Sequence, residues 1–592
     1  MMTRFCIYLL CLFVAGASCK KKEQTKAETA KVVADVGSVA FPKEVVGFAG
    51  IKSFDRFVAM AGDLVSKFNP AEAPMVGAQI PALLQGMVLR VKNLAWLDGS
   101  KVVRIILLDP DTFERPFVVL FPTKGRESAL QALPDNKASG APQNEWRYTS
   151  PNGLTIFANS FGNLIAFSFD EKAFGFAKQF FDKDFQNYDF QSDIDVQVSL
   201  SNLKPKVLRF FEDLKASMLE RYGDESGASP MQSMQTMLSE QVETLKKFVD
   251  QAETLRLAMD YDSKDLKLRF GAKVATASDL EKFVLQTKDK KIESYKELPK
   301  DAWVVVAQNI DPSVLQGFET LAFKSFAQAL SLGQDEEAKV KSLLQQLLDV
   351  QTGDSAFALF EDQGLPIAMM GVSGVKDGEK ARKLTYELSS ILLPSFGALA
   401  KKAKGSEKLL KDIDFSSMTA FVNTLKPVVA KDGVTLSLSS KEASGVKMDV
   451  LGVEVVQEKV PETYKAVAEA QKKFLGDKVE LGFGFAKQKG YFVLARDASR
   501  VSFKGLETGG VIGTVLNKDF RVAMFAYVSF EKLLEVASKF YPVLGGATNT
   551  PAGGSFVVFS LGAHDERVID AEISLPIASI GALVAQKAQP QP

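Results

Sequence analysis

Beyond residue 19 the chain contains no cysteine, and its 592 residues include a single histidine, His564. All three cysteines, Cys6, Cys11 and Cys19, lie at the extreme N-terminus. Structural and catalytic zinc sites need clustered Cys and His ligands, so zinc proteases, deaminases and zinc fingers are excluded from the body. Disulfide staples are excluded too, which leaves burial in sizeable cores as the source of stability. Basic and acidic residues balance at 72 each, so the chain carries no electrostatic footprint for nucleic acid. After the leader, no apolar run approaches the roughly 20 residues that cross a bilayer as a helix.

Catalytic motifs are equally scarce. A Ser-His-Asp triad would have to use His564, which sits in Gly562–Glu566 between two alternating stretches. A hairpin turn is expected there, with His564 as a solvated turn residue. No Gly-x-Ser-x-Gly elbow supplies a nucleophile. Ser-x-x-Lys pairs recur at Ser201/Lys204, Ser373/Lys376, Ser444/Lys447 and Ser529/Lys532, without the companion Lys-Thr-Gly or Ser-Asp-Asn of penicillin-binding enzymes. Gly47–Ser53 lies between an apolar run and a helical pattern, yet it is too short for a phosphate-binding loop and Lys52 follows no glycine.

What is present is a globular composition, 46% hydrophobic and 24% charged. The 44 phenylalanines fit either large cores or an apolar ligand cavity. The leader is the most telling stretch. Arg4 precedes an apolar run from Phe5 to Ala15, followed by the small residues Gly16, Ala17 and Ser18, then Cys19, then three lysines. A basic start, a short apolar segment and a small-residue cleavage zone form a secretory signal. With cysteine directly after the small residues, the segment resembles the lipobox of bacterial lipoproteins, although Gly16 stands where that family prefers leucine. The resemblance implies cleavage before Cys19, a diacylglycerol on its thiol and an N-acyl chain on its amino group. It also implies outer-membrane residence, because Lys20 is not the aspartate that retains such proteins at the inner membrane. The competing reading is cleavage after Ala17 at the Ala-x-Ala site, which would leave the protein free in the periplasm. A body without cysteine and one cysteine at the junction favour the anchor, and two or more acyl chains suffice for stable attachment.

The body carries an internal repeat. Phe41-Pro42-Lys43-Glu44 opens onto the apolar run Val45–Ile51 and a helical pattern over 53–68; Leu298-Pro299-Lys300-Asp301 opens onto Ala302–Ile310 and a helical pattern from Pro312 to about Leu330. Ser53 and Asp311 are the expected N-caps. In the same order, helical spacing at Gln79–Leu97 is answered at Glu337–Val350, and apolar stretch 103–108 at 355–360. Pro116 with 117–121 is answered by Pro366 with 367–372, and the helices from Arg126 and Glu379 follow. Later, Asp195–Leu200 and Phe520–Val528 each lead into a helix. The alternating pairs 255–261/266–274 and 556–561/568–575 predict a closing hairpin in each half. The stretches 434–438 and 447–456, with a helix at 461–475, have no counterpart in the first half. A Met-rich helical stripe from Met231 through Met234, Met237, Leu238, Val242 and Leu245 to Phe248 reads as core packing, and the lysine-rich Ala400–Lys411 as a solvated helix face.

The expected architecture is therefore α+β: two related halves arisen by internal duplication, each an antiparallel-rich sheet with helices packed on one face. The expected division is a signal peptide at 1–18, lipidated Cys19 with a flexible tether to 40, halves at 41–297 and 298–586 with an insertion near 396–476, and a disordered tail at 587–592. In its Pro-Lys-Glu/Asp openings the body is similar to an uncharacterised domain family of bacterial envelope lipoproteins, which lends no catalytic residues.

Carboxylates are the one remaining route to catalysis. Asp109, Asp111 and Glu114 precede Pro116, and Glu361 and Asp362 precede Pro366, in matching inter-strand turns. Turn carboxylates commonly cap backbone, so these are surface candidates, where a partner could dock, ahead of catalytic ones. The functional expectation is a lipid-anchored, non-catalytic binding or scaffold module of the envelope, without metal or cofactor. It would contact the membrane through Cys19 and engage an apolar ligand or a partner protein. The alternative is a metal-independent periplasmic hydrolase using carboxylates alone.

Overall fold

The structure is a computed structural model. It describes residues 36, 39 and 40 and most of 41–581. Omitted from that span are 71, 135–144, 150–154, 223–241, 244, 288–289, 314–331, 363–364 and 403–411, and also most of 463–475, 504, 507–509, 519, 541–554 and 565–566. The leader with Cys19, the Met231–Leu238 part of the Met-rich stripe, the helix after Asp311, most of the lysine-rich stretch and of the 461–475 helix, and the tail lie outside the described residues.

The fold is α+β, built on antiparallel sheet, and the chain divides into two compact units. In the first unit the strands are β1 (Val45–Ile51), β2 (Val103–Leu108), β3 (Phe117–Pro122), β4 (Glu145–Thr149), β5 (Thr155–Phe161), β6 (Leu164–Ser168), β7 (Ile194–Ser199), β8 (Ala252–Tyr261) and β9 (Leu266–Val274). The second holds β10 (Val304–Asn309), β11 (Gln351–Asp362), β12 (Leu365–Val375), β13 (Val434–Ala443), β14 (Val446–Val455), β15 (Lys478–Ala486), β16 (Lys489–Ala495), β17 (Arg521–Ser529) and β18 (Phe556–His564). The last strand, β19 (Val568–Leu575), pairs with β9, from Val568 opposite Lys273 to Leu575 opposite Leu266. The stretch from His564 onward, expected to close the second half, thus belongs to the first unit.

Strands join the sheet by one scheme in both units. In the first the order is β4-β5-β6-β3-β2-β1-β7-β8-β9. In the second it is β13-β14-β15-β16-β12-β11-β10-β17-β18. Each opening strand is flanked by the next strand in sequence and by one that arrives much later. By connectivity β14 stands where β4 does, although the sequence pattern left it unmatched; β13 has no equivalent in the first unit and β9 none in the second.

Local construction repeats as well. After each Pro-Lys-acidic opening, the backbone N–H of the next residue donates to the proline carbonyl, Val45 to Pro42 at 3.0 Å and Ala302 to Pro299 at 3.2 Å. Ser199 ends β7 and caps the helix Leu200–Tyr222 by accepting from the Asn202 N–H at 3.3 Å. Ser529 ends β17 and caps Phe530–Phe540 by accepting from the Lys532 N–H at 3.3 Å. Ser53 caps the helix Phe54–Phe68 as expected, accepting from the Arg56 N–H.

The expectation of helices on one face fails in the first unit. Val103 and Ile106 point to opposite sides of β2, and each lies in a buried cluster. Ile106, Val118 and Leu120 pack with Phe48 under the helix Ala173–Phe180, whereas Val103, Phe121 and Phe167 pack under the helices Phe54–Phe68 and Arg126–Ala132. Apart from Arg104, β2 and β3 are apolar throughout, and a strand apolar on both sides must be covered on both. Phenylalanine fills the first of these cores. Phe48 meets Phe185 at 4.6 Å and Tyr188 at 4.8 Å between ring centroids, with Phe41, Phe180 and Phe190 around it. Gly50 leaves room for this stack, for a Cβ there would fall within 2.0–2.4 Å of the Phe190 ring.

The segment up to residue 40, expected to be free tether, is held at its end. Val36 and Val39 are buried, Val39 in the phenylalanine core and Val36 over Gly271 of β9. Branched apolar side chains gain by leaving water, so the docked segment extends at least five residues ahead of Phe41.

Candidate functional site

The two acidic stretches are braces. Between β2 and β3, Lys206 of the helix after β7 pairs with Asp109 and, at 3.1 Å, with Asp111; the Asp111 N–H also donates to Asp109 Oδ1 at 2.9 Å. Glu361 and Asp362 end β11 itself, not the inter-strand turn expected for them, and there Lys532 of the helix after β17 pairs with Glu361 at 2.6 Å and with its own neighbour Glu535 at 2.8 Å. Asp362 accepts the Arg496 N–H at 2.8 Å, and Glu114 is exposed. Burial opposes the charge on both lysines, yet their carboxylate partners outweigh it and hold both above the usual lysine range. Burial likewise opposes the Asp109 carboxylate, and Lys206 with the Asp111 N–H keeps it below the usual range. Each stretch is thereby fastened to the helix that follows the late-arriving strand beside its own opening strand. Lys532 completes one Ser-x-x-Lys pair, and its Ser529 is a helix cap.

His564 is not a solvated turn residue. Strand β18 continues through it, and its Nε2 lies 2.7 Å from Asp570 Oδ2 of β19. The alternation that predicted two strands was sound, and the first of them runs on through His564 into the stretch expected to be turn.

Sequence reading missed two features of the sheets. The first is a buried polar row on β7, β8, β9 and β19. Gln197 stands opposite Arg256, Arg256 opposite Gly271, and Gly271 opposite Asp570. Arg256 donates from Nε and Nη2 to Asp195 at 3.0 and 2.6 Å, while Gln197 donates to the Tyr188 hydroxyl at 2.6 Å. Asp195 and Gln197 are fully buried. The second unit has its own knot, in which Glu480 of β15 accepts from Lys441 at 2.6 and 2.8 Å, from Lys478 at 2.8 Å and from the Ala498 N–H at 3.0 Å. Lys441 also reaches Asp497 at 2.9 Å. Burial opposes both carboxylates, but these donors and the Ser499 hydroxyl hold Glu480 and Asp497 below the ordinary range.

The second missed feature is an apolar sheet face left half-open. In the second unit one cross-strand row starts at Leu438 and Leu451, passes Leu481, Leu494, Met369 and Leu359, and ends at Val304, Val528 and Val557. It crosses every strand of the unit without a polar residue. Beside it the Phe483 and Phe492 rings meet at a tilt, 5.3 Å between centroids, with Phe483 44% exposed. The opposite face, with Val305, Ala358, Met370 and Val493, is buried. In the first unit Val196, Leu257, Phe270 and Ala571 form a comparable row, in which Leu257 and Phe270 are 40% and 44% exposed. On β7–β9 and β19 the polar side is thus buried, while the apolar side is buried at Ile194 and Tyr261 and open at Leu257 and Phe270, not the clean division that alternation alone suggests. Period-2 spacing separates two faces without saying which one the core will cover.

Among the described residues no group of three or more His, Cys, Asp or Glu side chains could hold a metal ion, and no helix is long and apolar enough to cross a membrane. Compared with protein-family models, with curated proteins and with solved structures, the chain matches none.

Proposed function

We propose that this chain is a lipid-anchored, non-catalytic lipoprotein of the bacterial envelope, acylated at Cys19, whose open apolar sheet face binds a lipid-like ligand. The observation that carries the reading is the row from Leu438 to Val557, apolar on every strand it crosses, exposed at Leu438 and partly exposed at the other positions. Strands spaced about 4.8 Å apart make such a row roughly 40 Å long. Each methylene laid against it gains up to about 0.8 kcal/mol, so an acyl chain finds ample surface there. Large exposed apolar patches on a chain otherwise balanced in charge mark binding surfaces. The hydrolase alternative has no comparable support, since Asp109, Asp111, Glu361 and Asp362 are each engaged by a lysine or a backbone N–H.

The two halves are further proposed to descend from one duplicated ancestor. Supporting this are the shared strand connectivity, the matched proline turns, the Ser199 and Ser529 caps, and the matched lysine braces.

The experiment is fractionation of cells making the wild type and Cys19→Ser, with intact-mass analysis of the mature N-terminus and mass spectrometry of organic extracts from the purified chain. The expected result is an acylated, membrane-bound wild type, a released Cys19→Ser chain, and a co-purifying lipid that Phe483→Asp diminishes. An unmodified wild-type N-terminus in the soluble fraction, or extracts without lipid, would overturn the corresponding half of the reading.

A further inference from the structure

The eleven-residue helix Ala73–Leu83 and the six-residue π-helical turn Leu84–Leu89 that continues it contain no charged residue; Gln79 and Gln85 are their only polar side chains. A helix apolar all round is normally buried. Here no residue of Ala73–Leu83 is buried. Its inner side packs on the helix Phe54–Phe68, and Ile80 and Leu84 lean on the cluster of Phe54, Leu89 and Trp96. On its outer side Met75, Ala78, Ala82 and Leu83 recur at helical spacing, with Val88 just beyond; Met75 is 53% exposed.

We infer that this arm is a membrane-contact element, which lays its outer face into the headgroup boundary of the bilayer to which Cys19 ties the chain. The choice of bilayer rests on the anchor reading and on where the described chain begins. Val36 is docked in the same unit as the arm, over Gly271. At ~3.5 Å per extended residue, the stretch from Cys19 to Val36 spans at most about 60 Å. A compact unit of this size is of order 50 Å across, so the bilayer is within reach of any of its surfaces. The anchor supplies proximity, which makes even a weak interfacial contact effective, and the uncharged arm supplies orientation. Exposed leucine, valine and methionine on an arm whose charges, Glu72 and Arg90, stand only at its two ends gain by entering the acyl boundary and gain nothing in water.

The test uses the full secreted chain with Cys19→Ser, so that no acyl group contributes, in flotation with vesicles of phosphatidylethanolamine and phosphatidylglycerol. Binding is expected, and Met75→Glu/Leu83→Glu should weaken it by about tenfold or more, since charged side chains enter the bilayer poorly. Leu285→Glu, which alters another exposed apolar residue, should bind like the parent, and circular dichroism should show all variants equally folded. No binding by the unacylated parent, or equal binding by the doubly charged variant, overturns the inference. If the wild-type N-terminus proves unacylated while the parent still floats and the double variant does not, the anchor reading fails and the arm stands.

Discussion

Arg256 holds Asp195 through two side-chain hydrogen bonds across neighbouring strands, at a point where both residues are buried. Removing one member of such a pair leaves an uncompensated charge in the core. Arg256→Met should cost about 3–5 kcal/mol of stability, read from urea denaturation midpoints. Asp195→Leu/Arg256→Met should recover much of that loss, because two apolar groups replace a pair whose desolvation was already costly.

Gly271 accommodates the docked N-terminal segment. A Cβ there would lie 2.6 Å from Val36 Cγ2 and 3.0 Å from Asp570 Oδ1. Gly271→Ala should displace Val36 at a cost of about 1 kcal/mol. Limited proteolysis should then cut faster ahead of Phe41, while the rest of the digestion pattern stays as in the wild type.

The Lys441 knot should be pH-dependent. Glu480 and Asp497 are held below the ordinary carboxylate range, so their contribution to stability is complete at neutral pH and above that range. It is lost as pH falls through their depressed folded values, where both states become protonated. Lys441→Met should therefore destabilise the chain by about 1–2 kcal/mol at pH 7, discounted for the partial exposure of Lys441. Denaturation series in acid should show the gap from wild type closing; a gap that widens on acidification would contradict this assignment.

The lysine braces should matter far less. Lys206 and Lys532 are partly exposed and pair with the carboxylates of the acidic stretches. Lys206→Ala and Lys532→Ala should each cost under about 1 kcal/mol and lose that cost in high salt. Lipid co-purification should be unchanged in both.

His564→Ala should remove the contact with Asp570. A loss of about 1 kcal/mol or less is expected from thermal denaturation, with membrane attachment unaltered.

Much of the body was legible because local rules are strong where strands meet helices. The proline turns, the Ser53 cap, the strands 103–108 and 568–575, and the strand-to-helix passages at Ser199 and Ser529 follow from alternation, caps and breakers within a few residues. The lysines that brace the acidic stretches were not legible. Asp109 meets Lys206 from 97 positions away and Glu361 meets Lys532 from 171, and only the return of a late strand to the opening strand brings them together. The same holds for β19, whose partner β9 lies some three hundred residues earlier. Its alternation announced a strand and was silent about which edge would receive it.

By itself the sequence determined many of the element types and their order along the chain, and it holds no cysteine beyond Cys19 and a single histidine, His564. Tertiary structure alone decided which side of each strand went inward: Asp195, Gln197 and Arg256 were buried, while Leu257, Phe270 and Phe483 were left open. The physical reason is that side-chain period is a property of the strand, whereas burial depends on what distant segments bring to each face.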